Sequence, residues 1–444
     1  MFFSNFLIYK YKKIKLLFNK KYFPRLNLFF FTFAYYKILY MIPFSPPRMD
    51  KKIFDEVIDT LKSGWITTGP KTKLFEKKIE EYVSCKKTLC ISSGSAGLEL
   101  MLRWFGVGEG DEVIVPAYTY SASANVIIHC GAKPVFVDIN DDFIVSVKEI
   151  EKAITEKTKV ILPVDIAGFP CDYDEINELV KRKDIVEKFQ AETDEQKKLE
   201  RILILSDAAH SIGATYKNKK IGSLTDITVF SFHAVKNLTT AEGGAVCLNL
   251  PAPFNNQEIY KYLCIKSLHG QTKDALAKSE IGNWRYDVIE AGYKFNMTDI
   301  QASMGLVELE RYDDDMLKKR KHIFDSYSQK LSAHKWAQLP NYENEIKNSS
   351  YHVYLLRIKN INETQRDEII NRIFKRDVSV NVHFIPLPML TFYRNLGYKI
   401  FDFPVSYENY SREISLPVYY NLTDEQIEIV VDAVINSVEE VLKK

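Results

Sequence analysis

Short apolar runs alternate with helical patterns between about residue 75 and residue 250 of the chain. Runs of this length bounded by turn residues are typical of buried strands, and the intervening segments repeat apolar positions at helical spacing. The predicted strands are Thr88–Ile91, Glu112–Val115, Pro134–Val137, Val160–Val164, Ile202–Leu205, Thr228–Phe232 and Gly244–Leu248. The predicted helices between them include Ala96–Phe105, Ala122–His129 and Tyr173–Arg182. This alternation predicts an α/β fold with a mostly parallel central sheet flanked by helices.

The pattern changes after Asn296. The elements predicted there are a long helix over Thr298–Ser328, strands at Tyr351–Ile358, Ser379–Phe384 and Ile414–Leu416, and helices at Glu363–Arg376 and Thr423–Leu442. Thr423 followed by Gln426 is a capping pattern for the last helix. We therefore expect a large domain over residues 41–297 and a smaller C-terminal α+β domain over residues 298–444.

The first forty residues do not conform to the rest of the chain. They carry eight Lys and Arg and 15 Phe and Tyr, and the first acidic residue of the chain is Asp50. A signal peptide is disfavoured because no small-residue cleavage site follows the apolar run. A membrane-surface anchor is an alternative, since basic and aromatic residues mix in interfacial segments. The favoured interpretation is that residues 1–40 are an accidental translation of AT-rich DNA and that the natural chain starts at Met41.

Composition and cysteine usage place the chain among ordinary globular proteins. Of its 444 residues, 46% are hydrophobic and 27% are charged, and the net charge of +2 gives no argument for nucleic acid. The six cysteines form no C-x-x-C pair and no zinc-ligand spacing, so we expect reduced thiols, no metal site and a cytoplasmic protein. No uninterrupted apolar stretch reaches the roughly 20 residues of a membrane-spanning helix.

Candidate chemistry lies directly after the predicted strands, where ligands of parallel sheets bind. Ser92–Gly97 is a small-residue turn before a helix, which suits a phosphate, although such turns are also common without a ligand. Asp207 ends an apolar run, and a helix N-cap is an equally good interpretation of it. Lys236 follows another strand and is a candidate for a covalent bond to a carbonyl, although a lone lysine is usually a surface residue.

The order of these three features narrows the interpretation. A phosphate turn, an acid and a lysine, each after a strand of one α/β pattern, are what a fold-type I site for pyridoxal 5'-phosphate (PLP) requires. The acid would face the pyridine nitrogen and keep it protonated, so that the ring can accept electrons. Aromatic residues of Pro116–Tyr120 could stack on that ring or simply pack in the core.

Several segments together resemble the DegT/DnrJ-type sugar-nucleotide aminotransferase family, from about Phe54 to the C-terminus. They occur in the order of the family and are Gly64–Pro70, Ser92–Gly97, Gly110–Pro116, Asp207–His210, Ser231–Gly244, Ser267–Gly270 and Gly292–Asp299. The resemblance implies a fold-type I aminotransferase with PLP as its cofactor and a homodimer with shared active sites.

The resemblance also implies a role for individual residues. Lys236 would bond to the cofactor and shuttle protons, Asp207 would pair with the pyridine nitrogen, and His210 would lie near the ring hydroxyl. The implied contacts to the cofactor phosphate and ring are those of Gly94, Ser95, Ala96, Ser231 and Tyr120. Lys294 and Asn296 stand where the family has an Asn and an Arg that reach the phosphate of the neighbouring subunit, so the residue that makes this contact is open. The implied substrate-side residues are His383, Thr67 and His269.

The reaction implied by the resemblance moves an amino group from L-glutamate to a keto-sugar linked to UDP or dTDP. The implied sugar is a 4-keto-6-deoxy hexose, and the implied product enters a surface polysaccharide or glycan. Relatives that act as dehydratases have His in place of the lysine, and Lys236 therefore favours transamination. A non-catalytic regulator on the same fold and a nucleotide-dependent oxidoreductase are the other candidates. The oxidoreductase is disfavoured because the turn at Ser92–Gly97 lacks a G-x-G-x-x-G pattern.

Overall fold

The computed structural model of the chain describes residues 41–273 and 284–443. The larger compact unit of the chain is Pro43–Lys444. The leader over residues 1–40 lies outside the described residues, so its interpretation stays a prediction. The domain boundary predicted between residues 297 and 298 lies among described residues, and it also stays a prediction. Within the two described ranges, no helix combines the length and the apolar character that a bilayer-spanning helix needs.

A seven-stranded sheet with the strand order β1-β9-β8-β5-β4-β2-β3 forms the centre of the larger unit. Strands β3, β2, β4, β5 and β8 run parallel to one another, and β9 is antiparallel to both β1 and β8. The strands are β1 (Lys87–Ile91), β2 (Glu112–Pro116), β3 (Lys133–Val137), β4 (Thr158–Ile161), β5 (Leu203–Asp207), β8 (Ile227–Ser231) and β9 (Gly244–Leu248). The predicted mostly parallel sheet is confirmed.

Helices cover both faces of this sheet, which is why its strands are continuous apolar runs rather than alternating ones. Val113 and Val115 of β2 pack into the core on one face, and Ile114 between them packs into the core on the other. The helices before residue 273 are α1 (Lys51–Ser63), α2 (Pro70–Val83), α3 (Gly94–Trp104), α4 (Ser121–His129), α5 (Val147–Ala153), α6 (Tyr173–Leu179), α7 (Lys183–Val186), α8 (Asp194–Leu199) and α9 (Asn256–Lys266).

The part of the chain after residue 284 is built mainly of helices around a small sheet. Its helices are α10 (Asp299–Glu310), α11 (Lys318–Leu331), α12 (Glu363–Phe374), α13 (Thr391–Asn395), α14 (Pro404–Arg412) and α15 (Asp424–Leu442). Strands β10 (Ala337–Gln338), β12 (Tyr354–Ile358) and β13 (Glu413–Leu416) form a three-stranded sheet, and β11 (Lys347–Asn348) pairs with β6 (Thr215–Tyr216), which pairs with β7 (Lys219–Lys220). A π-helical stretch at Tyr312–Leu317 joins α10 to α11, so the predicted long helix is confirmed with one irregular turn.

The predicted strand at Ser379–Phe384 is wrong. Only Asn381 forms a bridge, to Ser415 of β13. The backbone of His383 bonds to side chains instead of a neighbouring strand: its N–H donates to the Glu413 carboxylate at 3.1 Å, and its carbonyl accepts the Tyr118 hydroxyl at 2.6 Å. An apolar pattern predicts burial of such a segment but cannot predict which groups take its backbone hydrogen bonds.

Helix α15 begins with the predicted cap. The Thr423 hydroxyl accepts the N–H of Gln426 at 3.2 Å, and the Gln426 side chain accepts the N–H of Thr423 at 3.1 Å. Each bond satisfies an N–H group that the first helical turn otherwise leaves without a partner.

Replacing Thr423 by Ala removes the oxygen that accepts the Gln426 N–H. We expect the free energy of unfolding to fall by about 1 kcal/mol, the usual cost of losing a side-chain cap. Urea denaturation followed by circular dichroism measures the change, and Thr423→Ser, which keeps the hydroxyl, is the matched control. Equal stability of the Ala and Ser variants would contradict the capping role.

Candidate active site

The carboxyl ends of β5 and β8 and the beginning of β9 meet at one edge of the central sheet. Asp207 is the last residue of β5, and Ser231 is the last residue of β8. Ser231 is paired with Gly244, the first residue of β9, because β9 runs in the opposite direction. Lys236 lies in the connection between β8 and β9, so the strand order itself brings the predicted acid and the predicted lysine to one place.

Asp207 is a buried carboxylate with a hydrogen bond on each oxygen. The Ser123 hydroxyl donates to Oδ2 at 2.7 Å, and the Ala209 N–H donates to Oδ1 at 3.1 Å. Burial raises the pKa of Asp207 above its usual value, while these two hydrogen bonds and the charge of Lys236 act against that rise. A buried carboxylate held in this way is a suitable partner for a protonated pyridine nitrogen, whose positive charge would stabilise it.

Lys236 has an amine that loses its proton unusually easily. Burial lowers the pKa of Lys236 from 10.5 to about 8, and the charge of Asp207 opposes this change. An uncharged amine is the form that attacks a carbonyl carbon, and an amine with a pKa near physiological pH can both take and return a proton. The site therefore provides a nucleophile and a proton carrier in one side chain.

His210 is a neutral imidazole with a defined tautomer. Its Nδ1 accepts the Ala167 N–H at 3.2 Å, which leaves the ring proton on Nε2. Burial and the nearby charge of Lys236 lower the pKa of His210 well below its usual range. Its ring lies 4.3 Å from the ring of His352 and 5.9 Å from that of Phe384. His210 can thus donate one hydrogen bond without carrying charge.

The N-terminus of α3 faces a cleft of about 480 Å³. Ser93 caps this helix, because its hydroxyl accepts the Ala96 N–H at 3.1 Å. The cleft is lined among others by Ser92, Ser93, Ser95, Ala96, Tyr120, Asn125 and Lys294. Free N–H groups and the positive end of a helix dipole favour a phosphate at such a position, and the Lys294 side chain adds a positive charge.

The backbone beside this cleft leaves no room for larger residues. A Cβ atom on Gly94 would lie 3.1 Å from the Cβ of Ser231, and one on Gly244 would lie 2.7 Å from the N atom of Gly94. These glycines let the turn before α3 approach β8 and β9 closely. A helix N-terminus and hydroxyls for a phosphate, a carboxylate for a pyridine nitrogen and an amine for an aldehyde together fit PLP.

The remaining predicted residues are placed differently. Tyr120 precedes α4, is 61% exposed, and holds its ring 5.6 Å from that of Phe384. Lys294 lines the cleft, whereas Asn296 donates from Nδ2 to the Thr68 hydroxyl at 2.7 Å and holds that loop. Lys294 thus lines the cleft beside the turn before α3, and a contact of either residue to the phosphate of a neighbouring subunit stays a prediction.

The three predicted substrate-side residues differ in their surroundings. His383 is half-buried and close enough to Lys236 for the lysine charge to lower its pKa. Thr67 and His269 are exposed, and their described bonds are made by backbone atoms, to Asp299 and Tyr293. Within residues 41–273 and 284–443, no described contact joins Thr67 or His269 to Lys236 or Asp207.

Sequence reasoning missed four residues that hold the site together, namely Ser93, Ser123, Asn237 and His352. Ser93 had a visible signal, since a serine directly before a helical pattern is a standard cap. Ser123 bonds to Asp207 across 84 positions of sequence, and Asn237 Oδ1 accepts from His352 Nδ1 across 115 positions, at 2.7 Å in both cases. No local pattern predicts such pairs.

The profile of the DegT/DnrJ/EryC1/StrS aminotransferase family matches residues 47–188 and 191–435. The chain belongs to this family. The matched residues include the turn before α3, Asp207 and Lys236, so the family assignment and the geometry of the site agree. The resemblance that the motifs indicated is confirmed.

Similar proteins and solved structures match this chain over nearly its whole length. The spore coat polysaccharide biosynthesis protein SpsC of Bacillus subtilis is 35% identical over 404 residues, which are 89% of this chain and 96% of that protein. A structure from Streptococcus pneumoniae named as the sugar aminotransferase Spr1654, in its PMP form, has a TM-score of 0.86 at 47% identity and covers 90% of this chain and 100% of that chain. Helicobacter pylori PseC, an aminotransferase involved in the biosynthesis of pseudoaminic acid, has a TM-score of 0.78 at 27% identity, with the same coverage.

These findings confirm the predicted fold type I and the predicted cofactor. The Streptococcus pneumoniae protein has also been solved in a PLP form, at 45% identity and a TM-score of 0.86. The cofactor of this aminotransferase is PLP, and the chain is an enzyme of the PLP-dependent class.

Replacing Gly244 by Ala introduces a methyl group 2.7 Å from both the Gly94 N atom and the Phe230 carbonyl oxygen. Both are backbone atoms, so relief requires the turn before α3 to move, at the roughly 1–3 kcal/mol that overpacking usually costs. We expect PLP to bind about tenfold more weakly or worse, as measured by absorbance titration of the apo-protein. Gly108→Ala, whose new atom would meet nothing within 4 Å, is the matched control. Unchanged affinity in Gly244→Ala would show that the turn does not hold the phosphate.

The amine of Lys236 is expected to titrate near pH 8 in the apo-protein. Below this pH the amine is charged and unreactive, and above it the amine is neutral, so labelling by an amine-directed ester should rise through about pH 8. Peptide mass spectrometry measures this labelling, with the urea-unfolded chain as the control at the ordinary lysine pKa of about 10.4. Asp207→Asn should move the midpoint to lower pH, because the carboxylate favours the charged amine. A midpoint equal to that of the unfolded chain would contradict the burial of Lys236.

Proposed function

We propose that the enzyme transfers the amino group of L-glutamate to the keto group of a nucleotide-linked sugar. The acceptor proposed is a UDP- or dTDP-linked 4-keto-6-deoxy hexose, and the product would enter a surface polysaccharide or glycan. The observation that carries the proposal is the amine of Lys236, held partly neutral beside the buried carboxylate of Asp207 at the end of the parallel strands.

The named relatives support a sugar as the acceptor. The Streptococcus pneumoniae protein is named as a sugar aminotransferase, SpsC as a protein of spore coat polysaccharide biosynthesis, and PseC as an aminotransferase of pseudoaminic acid biosynthesis. All three are matched over at least 89% of this chain. The cleft beside the turn before α3 is lined mainly by polar side chains, which suits a polyhydroxylated and phosphorylated substrate better than an apolar one.

The residues of the chain divide the work of the proposed reaction. When bound, PLP supplies an electron-withdrawing ring that stabilises a carbanion at the carbon bearing the amino group. Asp207 keeps the ring nitrogen protonated, since a positive charge there stabilises a carboxylate whose burial is otherwise unfavourable. Lys236, with its pKa near 8, removes a proton from one carbon and returns it to another. His210 donates a hydrogen bond from Nε2 toward the ring without adding charge.

Two other functions on the same fold are less well supported. A sugar dehydratase would not need an amine at position 236, and a regulator without catalysis would not need that amine to be partly neutral. A buried lysine whose pKa is lowered and which is coupled to a carboxylate is typical of a reactive amine. Transamination is the reaction that uses both the covalent bond and the proton carrier.

The proposed enzyme acts as a homodimer in the cytoplasm, with active sites shared between subunits. The six cysteines, Cys85, Cys90, Cys130, Cys171, Cys247 and Cys264, are free thiols, which suits a reducing compartment. Tyr120 and Val235, which flank the site, are exposed apolar side chains of the kind a neighbouring subunit covers. Light scattering of the PLP-loaded protein tests the dimer.

The purified protein with PLP should be yellow and should lose this colour on addition of L-glutamate. A panel of nucleotide keto-sugars should then restore the colour, and the aminated sugar should be detected by mass spectrometry. Lys236→Ala should reduce kcat by at least the ~10²–10⁴-fold that a positioned proton-transfer group contributes. Lys183→Ala, at an exposed position on α7, is the control. A protein that is bleached by glutamate but aminates no sugar nucleotide would refute the proposed acceptor.

A further inference from the structure

A fully buried carboxyl group, Glu413 of β13, lies beside the site and has no part in the proposed reaction so far. Its Oε1 lies 2.6 Å from the Ser415 hydroxyl oxygen, and its Oε2 accepts the backbone N–H of His383 at 3.1 Å. No ion pair to Glu413 is recorded among the residues that the structure describes. Ionisation of a buried carboxyl group that has no ion pair is energetically unfavourable.

The charged and titratable groups around Glu413 do not compensate for its burial. The side chain of Arg366 bonds to the backbone carbonyls of Tyr410 and Glu413, and that of Arg357 bonds to Asp141 and Asn409. Burial raises the pKa of Glu413 to about 8, against the weaker opposing effects of Ser415, His383, Arg366 and Arg357. Tyr118 is the other titratable group near it. Glu413 is therefore neutral below about pH 8 and ionised above it.

Ser415 connects Glu413 to the ring of His383. The Ser415 Oγ atom lies 2.9 Å from His383 Nδ1 as well as 2.6 Å from Glu413 Oε1. A hydroxyl has one proton to donate, so the two bonds must run in the same direction. With Glu413 ionised, Ser415 donates to Glu413 and accepts from His383 Nδ1–H. With Glu413 protonated, Glu413 donates to Ser415, which donates to His383 Nδ1.

The direction of these two hydrogen bonds determines whether Nε2 of His383 donates or accepts a hydrogen bond. Burial and the charge of Lys236 lower the pKa of His383 to about 4, so the ring is neutral in either state. A neutral imidazole carries its proton on one nitrogen only. Nε2 is therefore an acceptor when Glu413 is ionised and a donor when Glu413 is protonated. The ring itself is held by stacking on Phe44, at 5.3 Å between centroids and an angle of 18°.

We propose that Glu413, acting through Ser415, is a positioning residue that keeps His383 Nε2 as a hydrogen-bond donor toward the oxygen of the keto group. This inference rests on the proposed function, because it places the keto-sugar beside Lys236, where His383 also lies. A keto oxygen only accepts hydrogen bonds, so the donor tautomer binds it and the acceptor tautomer repels it. Ionisation of Glu413 thus weakens binding of the sugar, although Glu413 itself does not contact the sugar.

Two substitutions separate the parts of this relay. In Glu413→Gln, the amide oxygen accepts the His383 N–H and the amide NH2 donates to Ser415. Ser415 then donates to His383 Nδ1, so the proton of the ring stays on Nε2 and Nε2 is a donor. In Ser415→Ala, the connection is lost while Glu413 remains. Both changes are near in size to the native residue, and circular dichroism of the PLP-loaded enzyme checks that the fold is kept.

Nitrogen-15 NMR of histidine-labelled, PLP-loaded enzyme reports the tautomer of His383, with the signal assigned by its loss in His383→Gln. In the native enzyme, the proton should move from Nε2 to Nδ1 as pH rises through about 8. Glu413→Gln should keep it on Nε2 throughout, and Ser415→Ala should remove the dependence on pH. A tautomer that is unaffected by pH and by both substitutions would overturn the relay.

Kinetics test the link to the substrate. KM for the keto-sugar should rise in the native enzyme above about pH 8 and stay level in Glu413→Gln, whereas bleaching by L-glutamate should have the same pH dependence in both. The amine of Lys236 titrates in the same pH range, but it is present in both enzymes, so a difference in KM between them reports Glu413. A changing tautomer with a KM that does not follow it would overturn the contact to the keto oxygen. If no keto-sugar is aminated at all, the proposed function fails, and the NMR result still decides the relay.

Discussion

The mutual electrostatic support of Asp207 and Lys236 in a buried place is the interaction on which the site depends. Burial alone makes ionisation of each group unfavourable, and each charge partly offsets that effect for the other. The chain brings the two groups together by strand order: β5 and β8 are parallel neighbours, so residues that follow them lie at the same edge. The sheet places both groups at this edge, and the glycines beside Ser231 let the turn before α3 approach it closely.

Much of this arrangement could be predicted because it depends on local patterns. Apolar runs identified the strands, and the parallel order of these strands predicted that Asp207 and Lys236 lie at one edge of the sheet. The capping box of Thr423 is equally local, since both bonds join residues three apart. The order of turn, acid and lysine indicated PLP, and the resemblance to the family added the expected roles of Ser231, Tyr120 and Lys294.

The parts that could not be predicted are pairs of side chains distant in sequence. His352 is an apolar-flanked histidine in the sequence, and nothing there indicates that Asn237 fixes its ring. The predicted strand at Ser379–Phe384 failed for the same reason. The pattern indicated burial correctly, but the bonds of His383 go to Glu413 and Tyr118, whose side chains arrive from other elements. Apolar periodicity carries information about faces, not about individual polar partners.

Three imidazoles near Lys236, those of His210, His352 and His383, have lowered pKa values because of burial and the charge of the lysine. Their neutrality means that they act through the position of one proton rather than through charge. A backbone N–H fixes the proton of His210 on Nε2, and the amide oxygen of Asn237 fixes that of His352 on Nδ1. Neither partner can reverse its role, whereas the hydroxyl beside His383 can both donate and accept. Of the three rings, His383 is therefore the one whose proton can move between its two nitrogens. The protonation state of the buried Glu413, two residues from that hydroxyl, is what determines the position of this proton.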